Sequence, residues 1–455
     1  MQKKQVSRRY FFLGSLATVT AASTVGSMVT GSAVAAVPFR GRYRSLNEKL
    51  NMAAIGAGGK GSSDIGACAQ TENVVALCDV DWKQGKRGFD RFPNAKKYKD
   101  FREMLDKEKI DAVTISTPDH MHACVALWAM ERGIHVYVQK PLARTIYELN
   151  RLLEASRKYK VATMMGNQGH SEEGVRHLCE MVWAGFIGEV KEVHAWTNRP
   201  IWPQGIANPL PKEPIPDTMD WDKWLGTAAM RDYNSKYAPF NWRAWFDFGC
   251  GALGDMACHI LDPANWALQL SSASQINVEC VKQEGKNKHT YPTKSVVRFD
   301  FSARGAMPPV SLYWYDGGIL PPRPPGLKED VKLGEGDNGS NFIGSKGVIT
   351  TGTYGGDSRL LPLELNKEMG KPTRLLSRTP GPGNCYLDWI RACKGGEPGC
   401  ANFEYSVPFT EWVNLGIIAL RVDGKLAWDN VKKRFTNSAE ANKLLKPYIR
   451  KGWKV

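Results

Sequence analysis

From residue 51 to residue 168 short apolar runs alternate with longer mixed segments, which predicts repeated strand–helix units. NMAAI, NVVALCDVD, DAVTISTP, IHVYVQKP and VATMMGN are the expected strands. The helix beginning at GSSDIGAC, and DFREMLDKEK, ACVALWAMERG and TIYELNRLLEASRKYK, are the expected helices. Such alternation builds a doubly wound parallel sheet. Beyond about residue 170 the pattern changes. One helix, EEGVRHLCEMVWAG, leads into EVKEVHAWTN, INVECVKQEG, SVVRFDFSAR and VSLYWYDGG. Their alternating positions predict antiparallel strands with one buried face.

The first strand runs into a glycine turn, and Gly56, Gly58 and Gly61 fit G-x-G-x-x-G. In that pattern the first glycine makes the turn, the second admits a pyrophosphate and the third allows close helix packing. The second strand ends at Asp79, 23 residues after Gly56. An acid there bonds a ribose 2′-hydroxyl and repels a 2′-phosphate, which favours NAD over NADP. Lys83 and Arg87 are the nearby cations that would accommodate a phosphate instead. Loop, acid and alternation together predict an N-terminal Rossmann domain over 51–168, with residues 169–455 forming a second α+β domain.

Ahead of these lies Ser7-Arg8-Arg9-Tyr10-Phe11-Phe12-Leu13, then a moderately apolar stretch ending in Ala33-Val34-Ala35. The segment resembles a twin-arginine signal peptide, assigned to 1–36, with an arm at 37–50. The expected location is periplasmic or otherwise outside the cytoplasm, with the twin-arginine machinery as a partner. A transmembrane anchor is the alternative; the length allows it, but the glycines and hydroxyl residues make a poor span.

The 455 residues carry a formal charge of +15, spread along the chain beyond the leader rather than gathered in blocks. No zinc finger, RNA-binding aromatic signature or basic helix accompanies the charge, so a nucleic-acid partner is not expected. The ten cysteines include no C-x-x-C pair and several sit in apolar runs, which excludes a zinc site and predicts buried thiols.

Three stretches, GAGGKG, STPDHMHACVALWAMERGIHVYVQKPLA and GCGALGDMACHILD, with KLAWD at 425–429, make the chain resemble the Gfo/Idh/MocA family of sugar oxidoreductases. The resemblance covers almost everything after the leader. It implies an open mixed sheet in the second domain, NAD as cofactor, a sugar, glycoside or polyol substrate, and a homo-oligomer, dimer or tetramer. The family's Glu-Lys-Pro is matched by Gln139-Lys140-Pro141, so Lys140 is the expected catalytic lysine. With Gln139 uncharged, Lys140 is expected to lack an anionic neighbour. Asp255 and His259, four apart on one helical face, match the family's acid and histidine. By spacing alone the pair equally describes a capping acid and a core histidine. Thr117, Pro118, His120, His122 and Gln139 fall on the cofactor side of the pattern, with turn and cap roles as the alternative for the two histidines.

Asn167 and His170 follow the last Rossmann strand and are substrate-contact candidates; Trp314 and Tyr315 are the candidates for stacking on a sugar face. The Pro-rich segments 199–216 and 317–326 are candidate rims of the cleft. The expected chemistry is hydride transfer from a carbinol carbon. His259 would act as base, Lys140 would stabilise the oxygen, and Asp255 would orient His259. Redox-neutral glycoside cleavage or epimerisation, and a non-catalytic sugar sensor, are the alternatives.

Overall fold

In the computed structural model, residues 48–324, 327–381 and 383–455 are described. The segment assigned as signal peptide (1–36) and most of the arm (37–50) lie outside them.

The nucleotide half begins with β1 (Asn51–Ile55), α1 (Gly59–Cys68), β2 (Asn73–Cys78), α2 (Trp82–Arg91), β3 (Lys96–Tyr98) and α3 (Phe101–Lys107). It continues through β4 (Ala112–Ile115), α4 (Asp119–Met130), β5 (His135–Val138), α5 (Ile146–Tyr159) and β6 (Thr163–Met165). Its six strands, among the described residues, lie in the order β3-β2-β1-β4-β5-β6, all parallel. The predicted strands are all present. β3 was not predicted, because Lys-Lys-Tyr carries no apolar run. Helix starts follow side-chain chemistry: Asp81 accepts from Lys83 N–H, and Thr145 caps α5 by accepting from Glu148 N–H.

The second half contains α6 (Glu173–Trp183), β7 (Val190–Trp196), α7 (Trp221–Leu225), α8 (Gly251–Ile260), α9 (Asp262–Ala267), β8 (Gln275–Glu284), β9 (Lys294–Phe301) and β10 (Val310–Asp316). Next come β11 (Gly339–Gly344), β12 (Val348–Thr351), β13 (Arg359–Leu361), α10 (Leu365–Met369), α11 (Cys385–Cys393), α12 (Phe403–Ala419), β14 (Leu426–Asp429), β15 (Arg434–Phe435) and α13 (Ala439–Lys443). A nine-stranded sheet among the described residues runs β13-β12-β11-β7-β10-β9-β8-β14-β15. Only the β7–β10 pair is parallel, so the sheet is mixed and mostly antiparallel, as expected.

The two halves share cores that the sequence order hides. Cys385, Trp389, Ile390 and Cys393 of α11 pack with Met52, Ala54, Leu77 and Tyr137, so a late helix covers one face of the nucleotide sheet. α12 is buried with α5 and with β8 and β9 in a core that spans both halves. All ten cysteines are unpaired thiols.

Candidate active site

β1 hands the chain to α1 through the glycine turn. A side chain at Gly61 would place its Cβ 1.7 Å from Gly56 O, so only glycine lets the helix start this close beneath the loop. At the end of β2, Asp79 Oδ2 accepts from Ala57 N–H (2.9 Å) and Gly58 N–H (3.1 Å), while Oδ1 accepts from Asp81 N–H (3.0 Å). Burial pushes the Asp79 carboxyl up to about 6 in spite of those three donors. With roughly four lone-pair positions on a carboxylate, one remains for a ribose hydroxyl.

A cleft of about 560 Å³ runs from Gly56, Gly58 and Asp79 to Lys140, Arg243 and His259, a size suited to a small-molecule site. Its residues fit a pyridine dinucleotide. The loop backbone lies open to the cleft, Asp79 holds a free acceptor position, and buried Thr117 Oγ1 on the cleft wall has no hydrogen-bond partner among the described residues. Lys83 and Arg87 are exposed and do not line the cleft. Lys99 and Lys223 do, and Lys223 is already bonded to Asp220 at 2.5 Å.

The Asp79 environment predicts a pH dependence. Ribose hydroxyls donate to the ionised carboxylate, so protonation removes an acceptor and affinity falls as pH drops through about 6. Binding of NAD should be about tenfold weaker at pH 5 than at pH 7.5, and Asp79→Asn should abolish that difference while weakening binding at pH 7.5. Fluorescence titration across that range checks it; a pH-independent parent removes Asp79 from the ribose site.

Gln139 does more than interrupt a family pattern. Its Nε2 donates to Asp64 Oδ2 at 2.8 Å, beside Ser116 Oγ at 2.8 Å, while Asp64 Oδ1 accepts from Lys60 Nζ (2.5 Å) and Tyr386 OH (2.7 Å). Asp64 is fully buried, so a carboxylate lies within hydrogen-bond distance of the end of the residue 139 side chain. Gln139→Glu would set two buried carboxyls against each other. The expected result is a destabilisation of roughly 1–3 kcal/mol, read as a lower Tm. Asp64→Asn combined with Gln139→Glu should recover most of it, and an unchanged Tm in the single variant would show the contact is dispensable.

At the other end β5 delivers Lys140 and α8 delivers Asp255 and His259. Lys140 Nζ donates to Asp255 Oδ1 (2.9 Å) and Asp255 O (2.6 Å), leaving one of its three N–H groups for another acceptor. The expected lack of an anionic neighbour is therefore wrong: the partner comes from α8, not from residue 139. Lys140, Arg243 and burial act on Asp255, and its carboxyl settles at about 2 because the two cations outweigh desolvation. Asp255 accepts these contacts and none from the His259 ring; Asn167 Oδ1 instead lies 3.2 Å from His259 Nδ1. With Nδ1 protonated and donating to Asn167, Nε2 is left as the acceptor. Burial, then the Lys140 charge, drive the imidazole well below its ordinary range, so it is neutral at physiological pH.

The remaining candidates divide sharply. Thr117, Pro118, His122, Gln139 and Lys140 line the cleft. His122 has Nε2 2.9 Å from Thr117 O and Nδ1 2.8 Å from Pro141 O; burial lowers its pKa to about 4, so the neutral ring donates to one of these two carbonyls. His120 does not line the cleft. It is enclosed between Trp224 and Phe248 with Nε2 3.1 Å from Trp224 O, and is a core residue. Asn167 reaches the site only through His259. His170 is buried against Asp262 (2.8 Å) and sandwiched by Trp266 and Tyr405, away from the cleft. Trp314 is fully buried in the core, its Nε1 donating to Asp316, because its position on β10 faces the helices. Tyr315 points to the opposite face and bonds His194 at 2.9 Å. Neither ring can stack on a substrate in the cleft.

The aromatic and polar wall is supplied instead by Trp242, Phe240, Tyr354, Asp119 and Arg243, none of which the sequence reading singled out as site residues. Asp119 stood inside the quoted STPDHMH stretch. Neither segment 199–216 nor the described part of 317–326 contributes to the lining; 219–243 does. The glycines before α8 bring protein against protein rather than against a ligand: a Cβ on Gly249 would sit 2.6 Å from Arg243 Cα, and its absence lets Arg243 lie beside Asp255.

The glycine loop, Asp79 and Lys140 of the nucleotide half share one cleft with His259 of the mixed-sheet half, the layout of a protein that binds a nicotinamide dinucleotide on a Rossmann domain. Two family models match, one described as an oxidoreductase family with NAD-binding Rossmann fold over residues 50–167, the other as its C-terminal alpha/beta domain over 181–302 and 356–455. The chain belongs to the Gfo/Idh/MocA oxidoreductase family. An alpha-N-acetylgalactosaminidase of Shewanella oneidensis is 29% identical over 204 residues, 41% of this chain and 44% of that protein. Inositol 2-dehydrogenase of Salmonella typhimurium is 29% identical over 150 residues, 32% of this chain and 45% of that protein. The matched stretch is thus less than half the length of either relative. In fold, the chain is similar to the WlbA dehydrogenase of Bordetella pertussis, solved with NADH and UDP-GlcNAcA, at TM-score 0.58 and 15% identity over 83% of this chain and 98% of that one. A levoglucosan dehydrogenase solved with NADH gives TM-score 0.53 at 17% identity over 82% and 97%. At such identities the likeness is one of fold.

Proposed function

We propose that the protein oxidises a carbinol carbon of a sugar, glycoside or polyol, with NAD held tightly and returned to its oxidised form in place by a second, acceptor sugar that takes up the hydride. The observation that carries this reading is the convergence of Lys140 and His259 in the wall of the cleft that Asp79 and the glycine loop open. NAD, when bound, supplies the hydride acceptor. The chain's own residues handle the rest. The third N–H of Lys140 donates to the substrate oxygen and stabilises it as its proton leaves. His259 Nε2 takes that proton, its tautomer fixed by Asn167. Asp255 holds Lys140 in place from two atoms. Trp242, Phe240 and Tyr354 exclude water from the reacting end.

A second reading has a specific support: one of the similar proteins is a glycosidase. In that version the same residues would assist loss of hydride from a ring carbon to bound NAD, elimination of the aglycone next to the ketone, addition of water and return of the hydride, so no net redox change occurs. The twin-arginine pattern at Ser7–Leu13 supports export of the folded protein to the periplasm, where a retained cofactor recycled in place would be an advantage. A homo-oligomer built on the second sheet is part of the same proposal.

The test is to purify the protein without added nucleotide, identify released small molecules by mass, and follow absorbance of the reduced nicotinamide on adding sugars, glycosides and polyols. Stoichiometric NAD with reduction by a sugar supports the oxidoreductase. Bound NAD with glycoside cleavage and no net reduction supports the second reading. Protein that neither retains nor binds NAD overturns both.

A further inference from the structure

Asp255 is the meeting point of more positive charge than it can balance. Lys140 Nζ lies 2.9 Å from its Oδ1, Arg243 Nε 3.3 Å from the same atom, and Arg199 Nε 3.6 Å from Oδ2. One carboxylate thus faces three cations, each about three-quarters buried or more. Arg243 engages Asp255 only through Nε, and its two terminal nitrogens have no protein acceptor among the described residues. Its guanidinium is nevertheless held in one place, lying over the Trp242 ring at 4.1 Å and against Phe240 at 5.0 Å and Trp202 at 5.7 Å. Arg199 commits Nη1 to Asn198 Oδ1 and leaves Nη2 without a protein acceptor in the same sense.

The other carboxyls near this end do not restore the balance. Asp119, in the cleft wall, is pushed up to about 7 by burial, so it is partly neutral at physiological pH. Glu335 is taken by Thr353, accepting from its N–H (2.9 Å) and Oγ1 (2.8 Å). Glu172 is half-buried near Tyr354 and makes no ion pair with Arg199 or Arg243 among the described residues. The Arg243 guanidinium, held in the cleft wall against aromatic rings with both terminal nitrogens open, suits a planar anion that takes two parallel hydrogen bonds.

We infer that Arg243, assisted by Arg199, recognises a carboxylate carried by the substrate, so that the preferred substrates are acidic sugars of the uronic or aldonic acid type. This rests on the proposed sugar oxidoreductase reading and names the substrate class of that site. The carboxylate would lie in the plane of the Arg243 guanidinium against its two terminal nitrogens, leaving the third Lys140 donor and His259 Nε2 for the carbinol group. Arg243 is then a specificity-determining residue, distinct in effect from the residues that move the proton.

The experiment measures binding to the NADH-loaded full-length protein by calorimetry, with nucleotide affinity measured first. The probes are D-glucuronate and D-galacturonate, their neutral methyl esters, and glucose 6-phosphate. The expected result is tenfold to a hundredfold tighter binding of at least one acid than of its ester, on the order of one charge-assisted Arg pair, with the advantage shrinking as salt rises. Arg243→Gln should bring the acid-to-ester ratio close to one, and Arg243→Lys should restore part of it. Arg199→Gln, which leaves the Trp242 stack intact, should reduce the ratio by a smaller factor and serves if the Arg243 variants do not fold.

Equal binding of acid and ester by the parent overturns the inference, as does a ratio unmoved by Arg243→Gln, which would make Arg243 a support for Asp255 only. Tighter binding of the phosphate than of either acid would reassign the fork to a phosphate ester, and failure of all the acids to bind overturns the inference as stated. Failure of NADH to bind is a different result: it overturns the oxidoreductase reading itself.

Discussion

Replacing Lys140 with methionine should lower kcat/KM by about 10³-fold while leaving NAD affinity within a few-fold of the parent. The size follows from what the ammonium does at its position. Two of its donors are spent on Asp255, at 2.6 and 2.9 Å, and the third is the only one from this side chain available to a substrate oxygen. Methionine keeps an unbranched side chain one atom shorter and removes all three. Asp255 retains Arg243 at 3.3 Å and Arg199 at 3.6 Å, so its charge stays compensated and the fold should persist. The loss should therefore appear mainly in kcat, since the missing hydrogen bond matters most when negative charge develops on the oxygen. Steady-state kinetics with nucleotide titration separates the two effects. A variant that keeps turnover within tenfold would remove Lys140 from the chemistry.

His259→Ala should cost between 10² and 10⁴ in kcat, with partial recovery on adding imidazole. The ring is buried, its Nδ1 is committed to Asn167 at 3.2 Å, and Nε2 is the remaining nitrogen able to accept a proton. Burial and the Lys140 charge hold the imidazole well below its ordinary range. The sign of the pH dependence follows. A group whose pKa is lowered stays neutral, and competent as an acceptor, across the physiological range, and loses that competence only in acid well below pH 6.5. The parent kcat should thus show no inflection from His259 near neutrality, and any acid limb near pH 6 should belong to NAD binding through Asp79. Asn167→Ala is the matching control: it frees the tautomer, so kcat falls less than in His259→Ala and imidazole does not rescue it. Equal turnover in His259→Ala and the parent would place the proton acceptor elsewhere.

Most of the nucleotide half was legible from local pattern. Gly56, Gly58, Gly61 and Asp79 are recognisable because backbone constraint forces residue type and spacing together: a Cβ at Gly61 has nowhere to go, and the acid must follow β2 to meet the loop N–H groups. Lys140, Asp255 and His259 were picked out through the family resemblance, because spacing alone described Asp255 and His259 equally well as a capping acid and a core histidine. β3 was not visible, having no apolar run to announce it.

What the tertiary structure alone decided concerns contacts across long sequence separations. That Gln139 answers to Asp64, 75 residues earlier, depends on α1 lying beside the end of β5. That Lys140 is partnered by Asp255, 115 residues later, depends on α8 facing that same strand end. Trp314 and Tyr315 illustrate the limit from the other side. Both sit on one predicted strand, yet the pleat turns them to opposite faces, and which face meets the core is set by the helices packed there. His170 looked free in a loop and is enclosed by Trp266 and Tyr405, while Arg243 and Tyr354, with no local signal, form the wall. Sequence by itself determined most elements of the nucleotide half and the family pattern, because backbone geometry ties those to short spacings. The electrostatic surroundings of Lys140, Asp255 and His259 came from packing, because charge acts through space and not along the chain.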